Sequence, residues 1–266
     1  MTFSEICNIL QNAGIESYSY EAKILCEEIC GDFSEEKDYD SEALISAVTK
    51  RAEGYPLQYI LGKWWFWDCE FYVSPDCLIP RPDTEHIVEK AIKLLPRGAH
   101  FADLCTGSGC IAISVLHSRA DTLGDAYELY PNTLDIAKKN ATLNGVNDRF
   151  TPILGDVLKK ETLGDKKYHA IISNPPYIRA DVIPTLSREV HFEPHAALDG
   201  GNDGLIFYRS ILDNFYGNLY DGGVFIFEIG YDQGDDLRKM ASDRGLKCEI
   251  YRDFSGNDRC VIIYKN

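Results

Sequence analysis

A chain of 266 residues, 45% hydrophobic and 26% charged, has the length and composition of a globular protein with one large or two modest domains. Its formal charge of −15 argues against a nucleic-acid target held through many phosphates, because that affinity comes from Lys and Arg. No apolar run approaches the ~18 residues that span a bilayer, and "MTFSEICNIL" lacks a basic-then-apolar leader, so a cytoplasmic protein with no membrane partner is expected.

Residues 1–61 read as a helical bundle. "FSEICNILQNAG" sets Phe3, Ile6, Ile9 and Leu10 on one stripe and stops at Gly14. "YEAKILCEEICG" repeats the plan and ends at Gly31, and a third helix runs from Ser41 to Gly54. Residues 62–80 form a linker containing "GKWWFWDCEFYVSP", whose alternating aromatics and turn-like Asp68 predict a β-hairpin. All three tryptophans sit there, suited either to plug two domains together or to dock a partner.

Residues 81–266 form the third unit, which alternates strands and helices from about residue 100. Strands are expected at "HFADL", "DAYELY", "FTPIL", "YHAIISN", "GGVFIFEIG", "KCEIYRD" and "RCVIIYK", and helices near 109–118, 131–143, 204–217 and 232–244. The fold class is therefore α/β, a mainly parallel Rossmann-like sheet whose ligands gather beyond the carboxyl ends of its strands. The last two strands, joined by "FSGND", read as an antiparallel hairpin. The nine cysteines are scattered through apolar segments with no paired CxxC at zinc spacing, so neither a disulfide framework nor a metal is expected.

"FADLCTGSGCIAIS" runs from strand through glycine turn to helix. Gly107 and Gly109 admit a ligand close to the backbone. "GSGCIA" fits the dinucleotide fingerprint, and "DLCTGSG" equally fits the turn of S-adenosylmethionine (SAM) enzymes. Glu128, ending the second strand of the sheet, suits two ribose hydroxyls or is a solvated acid. Asp156, after the third, suits an adenine amino group or a plain turn, and Asp103 orders the loop or meets a ligand's cationic end.

Why should "IISNPPYIRA" end a strand in Asn174 and two prolines? Pro175 and Pro176 have fixed φ and offer carbonyls without donors, so the Asn174 and Pro175 carbonyls stand as rigid acceptors beside the face of Tyr177. Such a pocket fits a planar group bearing NH2 and can aim that nitrogen at a reactive methyl. The methylated amide is acidic enough to lose its proton unaided, so no general base is needed.

With "PLQYILGKWWFWDCEFYVSPDCLIPRPDTE", "DLCTGSGCIAIS", "SNPPYI", "EVHFEPHAALDGGNDGLIFYR", "GGVFIFEIGYDQG" and "DFSGNDRCVI", the chain resembles the PrmC/HemK family of peptide chain release factor N5-glutamine methyltransferases. The resemblance implies a SAM-dependent methyltransferase domain over 81–266 and a helical bundle that binds the release factor. It implies methyl transfer from S-adenosyl-L-methionine, leaving S-adenosyl-L-homocysteine, to the glutamine of a Gly-Gly-Gln motif. By position, Asp103, Cys105, Thr106, Gly107, Ser108, Gly109, Glu128, Asp156, Val157 and Asn174 would hold the cofactor. Asn174, Pro175, Pro176 and Tyr177 would bind the glutamine, with Asn174, Pro175 and Tyr177 catalytic.

Cys105 stands where the family usually has Gly and is expected to need an ordinary backbone conformation. Glu128 stands for the usual Asp, and Val157 for a frequent aromatic. Arg81 and Glu85 in "IPRPDTE" match the family without a chemical role of their own. Three other readings compete: a DNA or RNA adenine N6-methyltransferase, which presents the same NH2; an NAD-linked dehydrogenase; and a release-factor adaptor on an inactive fold.

Overall fold

The computed structural model describes residues 1–266. Four helices open the chain: α1 (Phe3–Asn12), α2 (Tyr18–Cys30), α3 (Glu42–Ala52) and a short α4 (Leu57–Leu61). A capping box starts α1, where Thr2 Oγ1 accepts from the Glu5 amide and Glu5 accepts from the Thr2 amide at 2.7 Å. Ser41 caps α3 from one side only, its hydroxyl accepting from the Leu44 amide at 3.3 Å. Ile6, Leu10, Ala22, Leu25, Leu44 and Val48 form the buried core of the bundle, as helices this short require for stability. Across it Arg51 and Glu21 form an ion pair at 2.5 Å, both side chains almost wholly shielded from solvent.

Strands β1 (Lys63–Phe66) and β2 (Cys69–Tyr72) make the expected hairpin. The turn's left-handed residue is Trp67, at φ 54°, and not Asp68. The aromatics divide their work. Trp64 packs on the helical core, while Phe66 and Phe71 are buried in the core of the larger unit. Trp67 donates from its indole to Ser118 at 2.9 Å. Trp65, at 66%, and Tyr72, at 46%, remain exposed.

The larger unit contains α5 (Glu85–Leu94), β3 (His100–Leu104), α6 (Cys110–Ser118), β4 (Leu123–Glu128), α7 (Pro131–Leu143), β5 (Phe150–Leu154), β6 (Tyr168–Ser173), α8 (Ile206–Phe215), β7 (Leu219–Glu228), α9 (Gly234–Asp243), β8 (Lys247–Arg252) and β9 (Asp258–Tyr264). Its sheet has the order β5-β4-β3-β6-β7-β9-β8, parallel except for β9, which runs antiparallel to both neighbours. Two apolar layers cover it, one built on α5, α6 and α7, the other on α8 and α9. The α/β class and terminal hairpin agree with the sequence pattern. The helix expected over 204–217 is shorter, because its end tightens into a 3-10 turn at Tyr216–Asn218.

The order of strands reverses between β3 and β6, so a crevice opens at their carboxyl ends. The loops after β3, β4, β5 and β6 all leave the sheet on that edge. No helix is long and apolar enough to cross a membrane.

Candidate active site

A cavity of about 340 Å³ lies at this crevice. Cys105 and Gly107 reach it from β3, Glu128 from β4, Asp156 and Val157 from β5, and Asn174 and Pro176 from β6. Asp76, Cys77 and Leu78 close one side, and the segment Pro194–Ala197 with Asp199 lies over another.

The glycine turn is built by buried polar groups. Asp103, 0% exposed, accepts through Oδ2 from the Thr106 hydroxyl at 2.6 Å and the Ala112 amide at 3.2 Å. Burial raises its carboxyl to about 7, against those two donors. It orders the loop and does not line the cavity; its Oδ1 is buried without a partner. Ser108 points inward and its carbonyl accepts from Asn140 at 2.8 Å. A Cβ on Gly109, at φ 83°, would stand 2.8 Å from Ile113 and 3.3 Å from Ala137, so this glycine lets α6 and α7 close together.

Glu128 accepts through Oε2 from the Gly107 amide at 3.0 Å. Its Oε1 accepts from the amides of Leu129 at 2.9 Å and Tyr130 at 3.1 Å. Three of a carboxylate's roughly four acceptor directions are thus used, and one on Oε2 remains. Burial raises this carboxyl also, while the three amides draw it down. Asp156 Oδ1 takes the Leu158 amide at 3.0 Å, and Lys159 approaches Oδ2 at 3.6 Å.

Asn174 donates from Nδ2 to the Thr84 hydroxyl at 3.2 Å. Pro175 and Pro176 are buried. Tyr177 turns away from the cavity that Asn174 lines, into a neighbouring one with Arg179, Gln233 and Arg259, and its hydroxyl donates to Glu228 at 3.2 Å. The sequence placed all four residues around one ligand group; of them Asn174 and Pro176 line this cavity, while Tyr177 borders the neighbouring one.

The "Methyltransferase small domain" family model matches residues 85–193. A release factor glutamine methyltransferase of Moorella thermoacetica is 40% identical over 223 residues, covering 82% of this chain and 78% of its own. One from Clostridium botulinum is 32% identical over 267 residues, covering 95% and 94%. The chain belongs to the release factor glutamine methyltransferase family. In fold alone it is also like a methyltransferase from Pyrococcus furiosus, 17% identical, with a TM-score of 0.56 over 75% of this chain and 89% of that one.

Against the family pattern, one expectation is overturned. Cys105 has φ 59°, the left-handed conformation that glycine adopts freely, and not an ordinary one. Cys105 thus occupies backbone that a glycine would adopt without strain. Desolvation pushes its thiol well above the usual range, which disfavours the thiolate. Glu85 and Arg81 gain roles. Glu85 accepts the Trp67 amide at 3.0 Å, tying the hairpin turn to α5. Arg81 pairs with buried Glu193, which also accepts the Ile79 amide at 3.0 Å.

Sequence reasoning did not single out Thr84, Glu193, Glu228, Gly200 or Gly204. A Cβ on Gly200 would lie 2.7 Å from the Tyr177 Cα, and one on Gly204 2.4 Å from the Tyr177 carbonyl oxygen. The glycines of "DGGNDG" were the visible signal for that close approach.

Proposed function

We propose that the chain methylates the side-chain amide nitrogen (N5) of the glutamine in the Gly-Gly-Gln motif of peptide chain release factors, using S-adenosyl-L-methionine, in the cytoplasm and in the service of translation termination. The carrying observation is that Asn174 lines the same cavity as Cys105, Gly107, Glu128, Asp156 and Val157. A carboxamide-binding acceptor thus adjoins a nucleotide-type crevice.

The residues present fit that cofactor. The remaining acceptor direction of Glu128 suits a ribose hydroxyl, and Asp103 orders the turn that would meet the amino-acid end. Asp156 and Val157 would receive the adenine, and Thr106, Ser108 and Gly109 shape the turn around the amino-acid end. When bound, S-adenosyl-L-methionine supplies a methyl group on a sulfonium. Asn174 Oδ1 and the Pro175 carbonyl would accept the two N–H bonds of the glutamine carboxamide, fixing its plane. Two aligned acceptors also favour positive charge on a nitrogen that conjugation makes a poor nucleophile. Tyr177 would brace this segment through Glu228 rather than stack on the substrate. The protein partner would meet the helical bundle of residues 1–61 and the 62–80 hairpin, where Tyr20 and Trp65, 64% and 66% exposed, border one groove.

The test is to incubate the protein with methyl-labelled S-adenosyl-L-methionine and either unmethylated release factor or DNA. Label on the release-factor glutamine is expected; label on DNA adenine would establish the adenine-methyltransferase alternative. Asn174→Ala is expected to lower turnover at least 100-fold while cofactor affinity by calorimetry changes less than about threefold, as positioning losses of this size are common.

A further inference from the structure

The segment "IPRPDTE" matches the family closely, yet its polar contacts go to Trp67, Asn174, Glu193 and Arg259 and to neither the glycine turn nor Glu128. We propose that Thr84 within it is a positioning residue that fixes which way the Asn174 carboxamide faces, so that Oδ1 and not NH2 meets the substrate. This rests on the function proposed above and adds a residue to it.

The Thr84 hydroxyl is 2% exposed and receives the Asn174 Nδ2 proton at 3.2 Å. A hydroxyl has one proton to give, so its acceptor side faces Asn174 only if that proton goes elsewhere. Glu228 provides the destination. It is 2% exposed, its Oε1 takes the Tyr177 hydroxyl, and its Oε2 is buried with no hydrogen-bond partner, an acceptor open to the Thr84 proton. The Thr84 hydroxyl is foremost among the groups that hold the Glu228 proton affinity down, with Arg259 and the Tyr177 hydroxyl behind it. The order of demand runs carboxylate, hydroxyl, amide: Glu228 Oε2 lacks a donor, the Thr84 hydroxyl turns its proton that way, and Oγ1 is left to accept from Asn174. With Thr84 Oγ1 committed as acceptor, an inverted Asn174 would set two acceptors face to face.

Thr84 cannot drift. It ends a 3-10 turn, Pro82–Thr84, pinned at both sides. Arg81 pairs with Glu193, Asp83 lies 3.4 Å from Arg259, and Glu85 holds the Trp67 amide. These contacts give the otherwise idle motif a purpose: it presses one hydroxyl against one amide.

Protonation of Glu228 breaks the chain of command, because a carboxylic acid no longer demands the Thr84 proton. Burial raises this carboxyl to about 7, opposed by Thr84, Arg259 and Tyr177 and reinforced by Asp83. The thiols of Cys110 and Cys260 and the Tyr208 hydroxyl are the other titratable groups that feel it. Turnover is therefore expected to fall as pH drops through about 7.

Steady-state kinetics on unmethylated release factor decide the matter, with folding checked by thermal melting and cofactor affinity by calorimetry. Thr84→Val is expected to lower kcat at least tenfold, to leave cofactor Kd within about threefold, and to lose the acid limb. Thr84→Ala, which adds no bulk, carries the same expectation. Thr84→Ser keeps the hydroxyl and should hold kcat within threefold of wild type, with the acid limb intact. Folded Val or Ala variants within twofold of wild type in kcat would overturn the proposal, as would a Ser variant as slow as they are. A wild-type protein that labels no release factor would overturn the function and this inference together; labelling equally fast with and without the hydroxyl overturns the inference alone.

Discussion

At Cys105 a side chain occupies backbone space that suits glycine. At φ 59° an L-residue is strained by about 1–2 kcal/mol, and a β-branched one suffers more. Cys105→Val is expected to lower the melting temperature by several degrees and to weaken cofactor binding, measured by scanning calorimetry and titration. Tyr177→Phe tests a different group. Its hydroxyl helps hold the Glu228 carboxyl down, so its loss should cost about 1–2 kcal/mol in denaturant unfolding and shift the acid limb of turnover to higher pH. At pH 8 the rate should stay within about threefold.

That Asn174, Glu128 and Asp156 would line one crevice was legible because strand ends on one edge of a parallel sheet converge whatever the details. Thr84 was not. Its partner Asn174 lies 90 residues on, and nothing local marks a threonine whose hydroxyl is aimed at another element.

Elements tell a similar story. Hydrophobic periodicity sufficed for α1, α2, α3 and α7, and for every strand of the sheet to within a few residues. The hairpin was recognised by its alternation, but not the division of its aromatics, because which face of a ribbon meets which domain depends on packing. Trp65 and Tyr72 are the aromatics left over from both cores, Trp65 the more exposed of the two. Trp65→Ala is expected to raise KM for release factor at least tenfold with kcat unchanged, as for an interface anchor, and an unchanged KM would remove the hairpin from the docking surface. In the bundle, Arg51→Ala would leave buried Glu21 without its cation. That should destabilise the protein by about 3–5 kcal/mol in chemical unfolding.

For the whole molecule, pH acts in two opposed windows. Asp103 and Glu228 have folded-state carboxyls raised to about 7, chiefly by burial. Between about pH 7 and the ordinary carboxylate range the folded chain binds protons that the unfolded chain does not, so their contribution grows as pH falls and is lost as pH rises through about 7. Asp125 and Glu249 behave oppositely. Asp125 is lowered to about 2 against the desolvation it suffers, by hydrogen bonds from His100, Lys166 and Tyr168. Glu249 is lowered to about 2, first by Lys247. Their stabilising contribution is present above the ordinary carboxylate range and lost as pH drops toward 2. Melting curves from pH 3 to 9 should peak on the acid side of neutrality, and Asp103→Asn should flatten the decline above it.

The stretch from Arg188 to Glu193 leads directly into Pro194–Ala197, which lie over the cavity. Helical-side residues grip that stretch repeatedly: Arg51 binds Glu189 at 2.6 Å, Gly54 leaves room for Arg188, and the Tyr55 ring meets Phe192 edge-on at 5.2 Å. Handle and latch are thus one piece of chain. A force applied to the front helices would therefore be felt by the segment that roofs this cavity.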